Sequence, residues 1–127
     1  MIDFLEGTIE FIEKNYMLLN VNGVGVGINI PTTTYEVIKS KKGFIRINTF
    51  LNIKEDSIEI FGFLSEEEKE IFKLLLKVSG VGSKAALNIL SNISIANLKN
   101  AIAKEEDIIF TRIPGLGKKR ARRIIVE

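Results

Sequence analysis

Two short stretches carry the same residue types at the same spacing. Gly80-Val81-Gly82-Ser83-Lys84 and Gly115-Leu116-Gly117-Lys118-Lys119 each set one apolar residue between two glycines, with a lysine four positions after the first glycine. Two glycines around an apolar residue allow a very tight turn with positive φ, and the missing side chains let another backbone approach closely. The apolar residue, Val81 or Leu116, is expected to plug back between the flanking helices. A helix starting directly after such a turn presents unpaired amides at its positive end, which is an anion site, and Lys84, Lys118 and Lys119 stand beside it. The chemistry this supports is recognition of phosphate by amides and ammonium groups, which reads a nucleic-acid backbone and not its bases.

Other chemistry is excluded by what the chain lacks. Its 127 residues contain neither cysteine nor histidine. That removes disulfides, thiolate nucleophiles, Cys/His zinc sites, Ser-His-Asp triads and imidazole acid–base catalysis. A nucleotide-binding loop fails on order: Gly80-Val81-Gly82-Ser83-Lys84 lacks the leading glycine and the Gly-Lys-Ser/Thr sequence, Gly117-Lys118-Lys119 has no hydroxyl for magnesium, and both follow helices instead of strands. Gly23, Gly25 and Gly27 sit in a β-hairpin context where tight turns and barrel bending account for them. The opening Met1–Glu6 lacks a basic leader and no eighteen apolar residues run together, so the expectation is a soluble, cytoplasmic protein.

The two glycine motifs belong to a longer duplication. At an offset of 35 residues, Leu74 falls on Ile109, Leu75 on Phe110, Val78 on Ile113, Ala86 on Ala121, Ile89 on Ile124 and Leu90 on Ile125, with both glycines, the apolar residue between them and the lysine also matching. The elements that must position these turns are helices. Ser65 with Glu68 three residues on forms a capping box, Glu66 and Glu67 suit a helix N-terminus, and Ile71, Phe72, Leu74, Leu75 and Val78 recur at helical spacing. The periodicity predicts helices near 66–78, 83–91, 95–104, 106–112 and 118–126. In the last of these, Ala121, Ile124 and Ile125 share one arc, leaving Lys118, Lys119, Arg122 and Arg123 as a basic face.

The first half alternates with period two instead. Ile45, Ile47, Thr49, Leu51 and Ile53 share one face, against Arg46, Asn48, Asn52 and Lys54 on the other. Five strands are predicted, at Ile2–Phe11, Tyr16–Val21, Val24–Ile30, Phe44–Lys54 and Ser57–Phe63, separated by Glu13-Lys14-Asn15, Asn22-Gly23 and the Pro31–Ser40 stretch. Five short antiparallel strands hide their edges most simply by closing, which favours an OB-type barrel over a small sandwich. The fold class is thus α+β, with a five-stranded OB-type β-barrel over 1–64 followed by an all-helical tandem helix-hairpin-helix domain over 65–127. Residues 1–64 hold six basic and eight acidic residues, a net −2, and residues 65–127 hold twelve and eight, a net +4. A basic end suggests a polyanionic partner, although a solvated helix face is the commoner result of such a charge run.

Taken in order, Gly23-Val24-Gly25, Pro31-Thr32-Thr33-Thr34, Lys54-Glu55-Asp56, Phe61-Gly62-Phe63, Gly80-Val81-Gly82-Ser83-Lys84-Ala85-Ala86-Leu87 and Ile113-Pro114-Gly115-Leu116-Gly117-Lys118-Lys119 resemble the RuvA family. The similarity covers the whole chain, while the helical half alone would indicate only a tandem helix-hairpin-helix module. The resemblance implies a non-catalytic subunit that binds Holliday (four-way) junction DNA and recruits the RuvB motor ATPase for branch migration in recombination and repair. It implies a four-fold homotetramer, or an octamer of two tetramers, with no cofactor or metal of its own and no membrane. It places Gly80, Val81, Gly82, Lys84, Gly115, Leu116, Gly117, Lys118 and Lys119 on the DNA backbone, and Ser83 within the first motif and Arg122 and Arg123 on the basic face are expected to join them. Glu55 and Asp56 match the family's acidic pin, with Lys54 expected to offset part of their charge.

Two departures stand out. The family continues through a flexible linker to a third helical domain that contacts RuvB, whereas this chain stops at Glu127 within a predicted helix. A shortened form that binds junctions without engaging the motor is therefore expected. The aromatic residue common after Gly23-Val24-Gly25 is Val26, and the proline common before the first hairpin lysine is Ser83. Two other readings stay open: a general duplex-binding repair factor without junction preference, and a magnesium-dependent nuclease using Glu55, Asp56 and Glu59.

Overall fold

A computed structural model describes residues 1–41 and 43–103. The chain divides into two units, Met1–Lys69 and Glu70–Glu127. In order, the described elements are β1 (Phe4–Glu13), β2 (Tyr16–Val21), β3 (Val24–Asn29), α1 (Thr32–Ile38), β4 (Phe44–Ile53), β5 (Ile58–Phe63), α2 (Glu66–Leu76), α3 (Ser83–Asn92) and α4 (Ile95–Ala103). The helices expected at 106–112 and 118–126, and the second glycine turn between them, lie outside the described residues. No described helix is long and apolar enough to cross a membrane.

The five strands close into a barrel in the order β1-β2-β3-β5-β4, which decides against an open sandwich. Short turns make β1–β2 and β2–β3 antiparallel, β4 pairs with both β1 and β5 antiparallel, and the remaining seam joins β3 to β5 in parallel at Asn29 and Phe61. Alternation supplies the core: Met17 and Leu19 from β2, Ile28 from β3 and Ile47 from β4 are fully buried. Each such side chain contributes about 1.5–3 kcal/mol relative to leaving it in water. Gly62 of β5 is needed here for space. A Cβ on it would lie 2.7 Å from Ile28 Cγ2 and 2.8 Å from Ile47 Cδ1.

Two expectations are corrected. The strand expected at Ile2–Phe11 runs from Phe4 to Glu13, and its register shifts between Ile9, opposite Leu19, and Phe11, opposite Leu18. The extra residue is a β-bulge, which reverses the alternation: Ile9 and Ile12 both pack on the core while Phe11 is exposed. The Pro31–Ser40 separator contains helix α1, with Pro31 at its N-cap. Three threonines in a row disfavour a helix on propensity. Tertiary burial overrides that, since Ile38 joins the barrel core and Thr34 is buried beside it in the same helix.

Beyond the barrel, Ser65 Oγ accepts the Glu68 amide at 3.1 Å, so the cap of α2 forms as its sequence expects. The Glu68 carboxylate turns elsewhere and accepts a hydrogen bond from Thr33 Oγ1 at 3.2 Å. Ser94 caps α4 in the same way, its Oγ accepting the Asn97 amide at 3.2 Å. In the helical unit Phe72, Leu75, Val78, Ala86, Ile89, Leu90 and Leu98 are buried, as their helical spacing requires.

Candidate nucleic-acid interface

Six residues, 77–82, join α2 to α3. The amides of Lys77 and Val78 donate to the carbonyls of Leu74 and Leu75, both at 3.1 Å, tightening the end of α2. Gly80 then takes φ +84°, the left-handed region where a side chain is strained, and the Val81 amide donates back to the Val78 carbonyl at 3.0 Å. Val81 is 5 % exposed and faces inward, while Gly80 and Gly82 on either side are exposed.

The two glycines differ in kind, which corrects the expectation that both supply positive φ. Gly82 has φ −91° and ψ −178°, extended backbone open to any residue, and a Cβ on it would meet no atom within 4 Å. Nothing in the described fold requires a glycine at that position. What a side chain at Gly82 would obstruct is the space outside, directly over the start of α3.

That start leaves amide donors without a side-chain cap. Gly82 caps α3 with its carbonyl, which accepts the Ala86 amide at 3.0 Å, but has no side chain to cap the amides that follow. Among the described residues, no acceptor is present for the Lys84 and Ala85 amides. Anions gain from such amides and from the helix dipole, and Lys84, one residue into the helix, is exposed beside them. Ser83, also expected to touch DNA, is 8 % exposed at the same bend, close to the 5 % of Val81. The corresponding residues of the second motif, Gly115, Leu116, Gly117, Lys118, Lys119, Arg122 and Arg123, lie outside the described residues.

Glu55 and Asp56 occupy the four-residue connection between β4 and β5, which closes with the Lys54 amide donating to the Ser57 carbonyl at 2.8 Å. Both carboxylates are exposed, and among the described residues no cation lies within ion-pair distance of either. Lys54, expected to offset part of their charge, pairs with a different carboxylate: its Nζ lies 3.1 Å from Oε1 of Glu59, across the hairpin on β5. The same ion pair occupies the third carboxylate of the nuclease reading, and among the described residues no three carboxylates converge into a group that could hold a metal. Flanking the acidic pair, Ile53 and Ile58 face each other across the last register position, 56 % and 68 % exposed.

Sequence reasoning passed over Lys69, which is 5 % exposed in the first turn of α2. Its signal is position. It lies three residues before the buried Phe72, on the arc that faces inward.

Comparison with known proteins agrees with both halves. Residues 1–62 match the family model described as RuvA N terminal domain, and residues 72–127 match the SAM-like Helix-hairpin-helix tandem. Relatives named Holliday junction branch migration complex subunit RuvA align with all of this chain. That of Thermoanaerobacter sp. (strain X514) is 42 % identical over 127 residues, with 68 % of the relative covered. That of Geotalea daltonii is 40 % identical with 64 % covered, and that of Syntrophotalea carbinolica 42 % identical with 64 % covered. The chain thus spans about two thirds of the length of these curated relatives. A closed five-stranded barrel, a glycine turn opening a helix, and this identity along the whole sequence together place the chain in the RuvA family.

Proposed function

We infer that this chain binds four-way junction DNA through its sugar-phosphate backbone and holds it open for branch migration, as a non-catalytic subunit. The observation that carries this is the exposed Gly80-Val81-Gly82 turn at the uncapped start of α3 with Lys84 beside it, in a chain whose relatives are named for Holliday junctions. Residues 65–127 are the gripping domain, with Gly80, Val81, Gly82, Ser83 and Lys84 and the repeated Gly115, Leu116, Gly117, Lys118 and Lys119 against phosphates, joined by Arg122 and Arg123. Residues 1–64 form the assembly and junction-centre domain. The driving ATPase belongs to a partner motor, RuvB, and the chain acts in the cytoplasm as a homotetramer.

Around a four-fold axis, Glu55 and Asp56 from four copies would gather eight carboxylates at one point. Phosphates are repelled there, so strands crossing at the centre separate while continuous duplex laid across it is disfavoured. The charge arrangement at the β4–β5 tip suits this role, because Lys54 is paired with Glu59.

Competition between a synthetic four-way junction and linear duplex of equal length tests the reading. Wild-type protein is expected to prefer the junction, and Glu55→Gln with Asp56→Asn is expected to keep duplex affinity while losing about tenfold of that preference, roughly the worth of one poorly tolerated like-charge contact. Equal affinity for both DNAs in the wild type would leave a general duplex binder. Cleavage of the junction in magnesium would make it a nuclease.

A further inference from the structure

The β4–β5 hairpin continues past the strands on either side of it. β4 pairs with β1 only as far as Asn48, and β5 meets β3 at Phe61. Among the described residues, the last three rungs, Leu51 with Ile60, Asn52 with Glu59 and Ile53 with Ile58, are therefore strand-paired only with each other. Alternation gives this arm two faces. One carries the Lys54–Glu59 ion pair. The other prolongs the inward row of the barrel: Ile47 and Thr49 are fully buried, Leu51 is half-buried opposite Ile60, which packs on the core, and Ile53 and Ile58 emerge into solvent.

A lone exposed isoleucine needs no explanation. Two that face each other across the final rung, next to a pair of exposed carboxylates, make one apolar surface beside the acidic turn. What can lie on it is limited. Glu55 and Asp56 repel phosphate. A second copy of this chain is a poor occupant, because two isoleucines offer far less than the ~800 Å² that each partner buries in a stable protein interface. A nucleobase suits both features: it is neutral, its flat face stacks on apolar side chains, and its exocyclic amino groups are donors that carboxylates accept.

Within continuous duplex the faces of the bases are covered by stacking, whereas a base next to a strand crossing can turn one face outward. Apolar side chains, isoleucine among them, enter such openings in proteins that unstack DNA. We propose that Ile53 and Ile58 form an apolar wedge that receives the face of a base unstacked at the crossing, while the carboxylates of Glu55 and Asp56 keep the backbone away. The wedge rests on the junction-binding reading and deepens it. Repulsion by itself sets where the phosphates cannot go, and the isoleucines give the parted bases a surface to lie on.

2-Aminopurine, an adenine analogue that brightens on leaving the stack, reports this when placed at the crossing of an immobile synthetic four-way junction, with the same base in mid-arm as the control. At saturating protein the parent is expected to brighten the crossing base and not the mid-arm one. Ile53→Thr with Ile58→Thr keeps two β-branched strand formers and removes the apolar surface. It should return the crossing base toward the stacked state by about fivefold, the lower end of what a base loses with its stacking partner. Ile53→Val with Ile58→Val keeps an apolar surface and should stay within about twofold of the parent. Should the double threonine variant fail to fold, Ile58→Thr alone, at the more exposed position, carries the same expectation. A crossing base no brighter than the mid-arm one with the parent, or equally bright with the threonine variant, overturns the wedge and leaves the function reading standing. A lower molar mass of the DNA-free threonine variant by light scattering would overturn it as well, by making the pair a contact between copies. A parent without preference for junction over duplex sinks the function reading itself.

Discussion

At the turn after α2 the backbone faces outward, and at the turn after β4 the side chains do. The glycine turn buries its one apolar side chain, Val81, and leaves amides and bare Cα atoms on the surface. The acidic turn does the reverse: its backbone closes on itself from Lys54 to Ser57, and what remains to meet a partner is the pair of carboxylates. The difference sets what each can discriminate. Amides at a helix start attract any phosphate of any DNA, whereas unpaired carboxylates repel phosphate and so select by where the DNA cannot go.

The largest expected effect breaks this comparison at Gly82. Because its backbone is extended and a Cβ meets nothing within 4 Å, Gly82→Ala should fold and melt as the parent does. If a phosphate comes against that Cα, junction and duplex binding should both fall by about tenfold or more, the worth of a hydrogen bond to a charged group. Gly80→Ala is the contrast, since forcing alanine to φ +84° costs about 1–2 kcal/mol and lowers the melting temperature as well. Unaltered DNA binding in Gly82→Ala, measured by fluorescence anisotropy, would remove the glycine turn from the interface.

A smaller effect belongs to Lys84. Its charge adds to the amides without changing the turn, so Lys84→Ala should weaken junction and duplex equally and reduce the slope of log K against log salt by about 0.9 for each phosphate that the ammonium had neutralised. A weakening confined to the junction would show that Lys84 reads structure, which is the part assigned to Glu55 and Asp56.

The same contrast explains which features were legible in the sequence. The glycine turn depends on local geometry, and Gly-Val-Gly before a helical pattern announces it, as Ile45, Ile47 and Thr49 announce the inward face of β4. Features decided by distant neighbours were not legible. The bulge at Ile9 and Phe11 shifts β1 by two residues, the parallel β3–β5 seam joins strands about 30 residues apart, and α1 forms against three threonines because Ile38 is buried in the barrel. At the acidic turn the residue types were readable but not the partner of Lys54, which had two carboxylates beside it in sequence and is paired with Glu59 across the hairpin. Lys69 was hidden for a similar reason, as a lysine in a highly charged first turn resembles a solvated one until its neighbours are known.

The smallest effect bears on how the acidic turn is best probed. Substituting Glu55 and Asp56 at one pH leaves Glu68 alone, whereas lowering the pH titrates Glu68, whose carboxyl is held above the usual glutamate range by burial, with the Thr33 hydroxyl and the Leu64 backbone acting in the opposite direction. A carboxyl with a raised folded pKa contributes its stability when protonated, fully so below the unfolded value near 4.5, and loses that contribution as pH rises through the folded value. Glu68→Gln, which imitates the protonated form, should therefore melt slightly above the parent at neutral pH, with the gap closing as the pH falls toward that value. Melting curves at several pH values read this directly, and a gap independent of pH would mean that Glu68 is no more buried than an ordinary surface carboxylate. Because a lower pH shifts stability through Glu68 as well, the charge of the acidic turn is removed more cleanly by Glu55→Gln with Asp56→Asn at one pH than by acid.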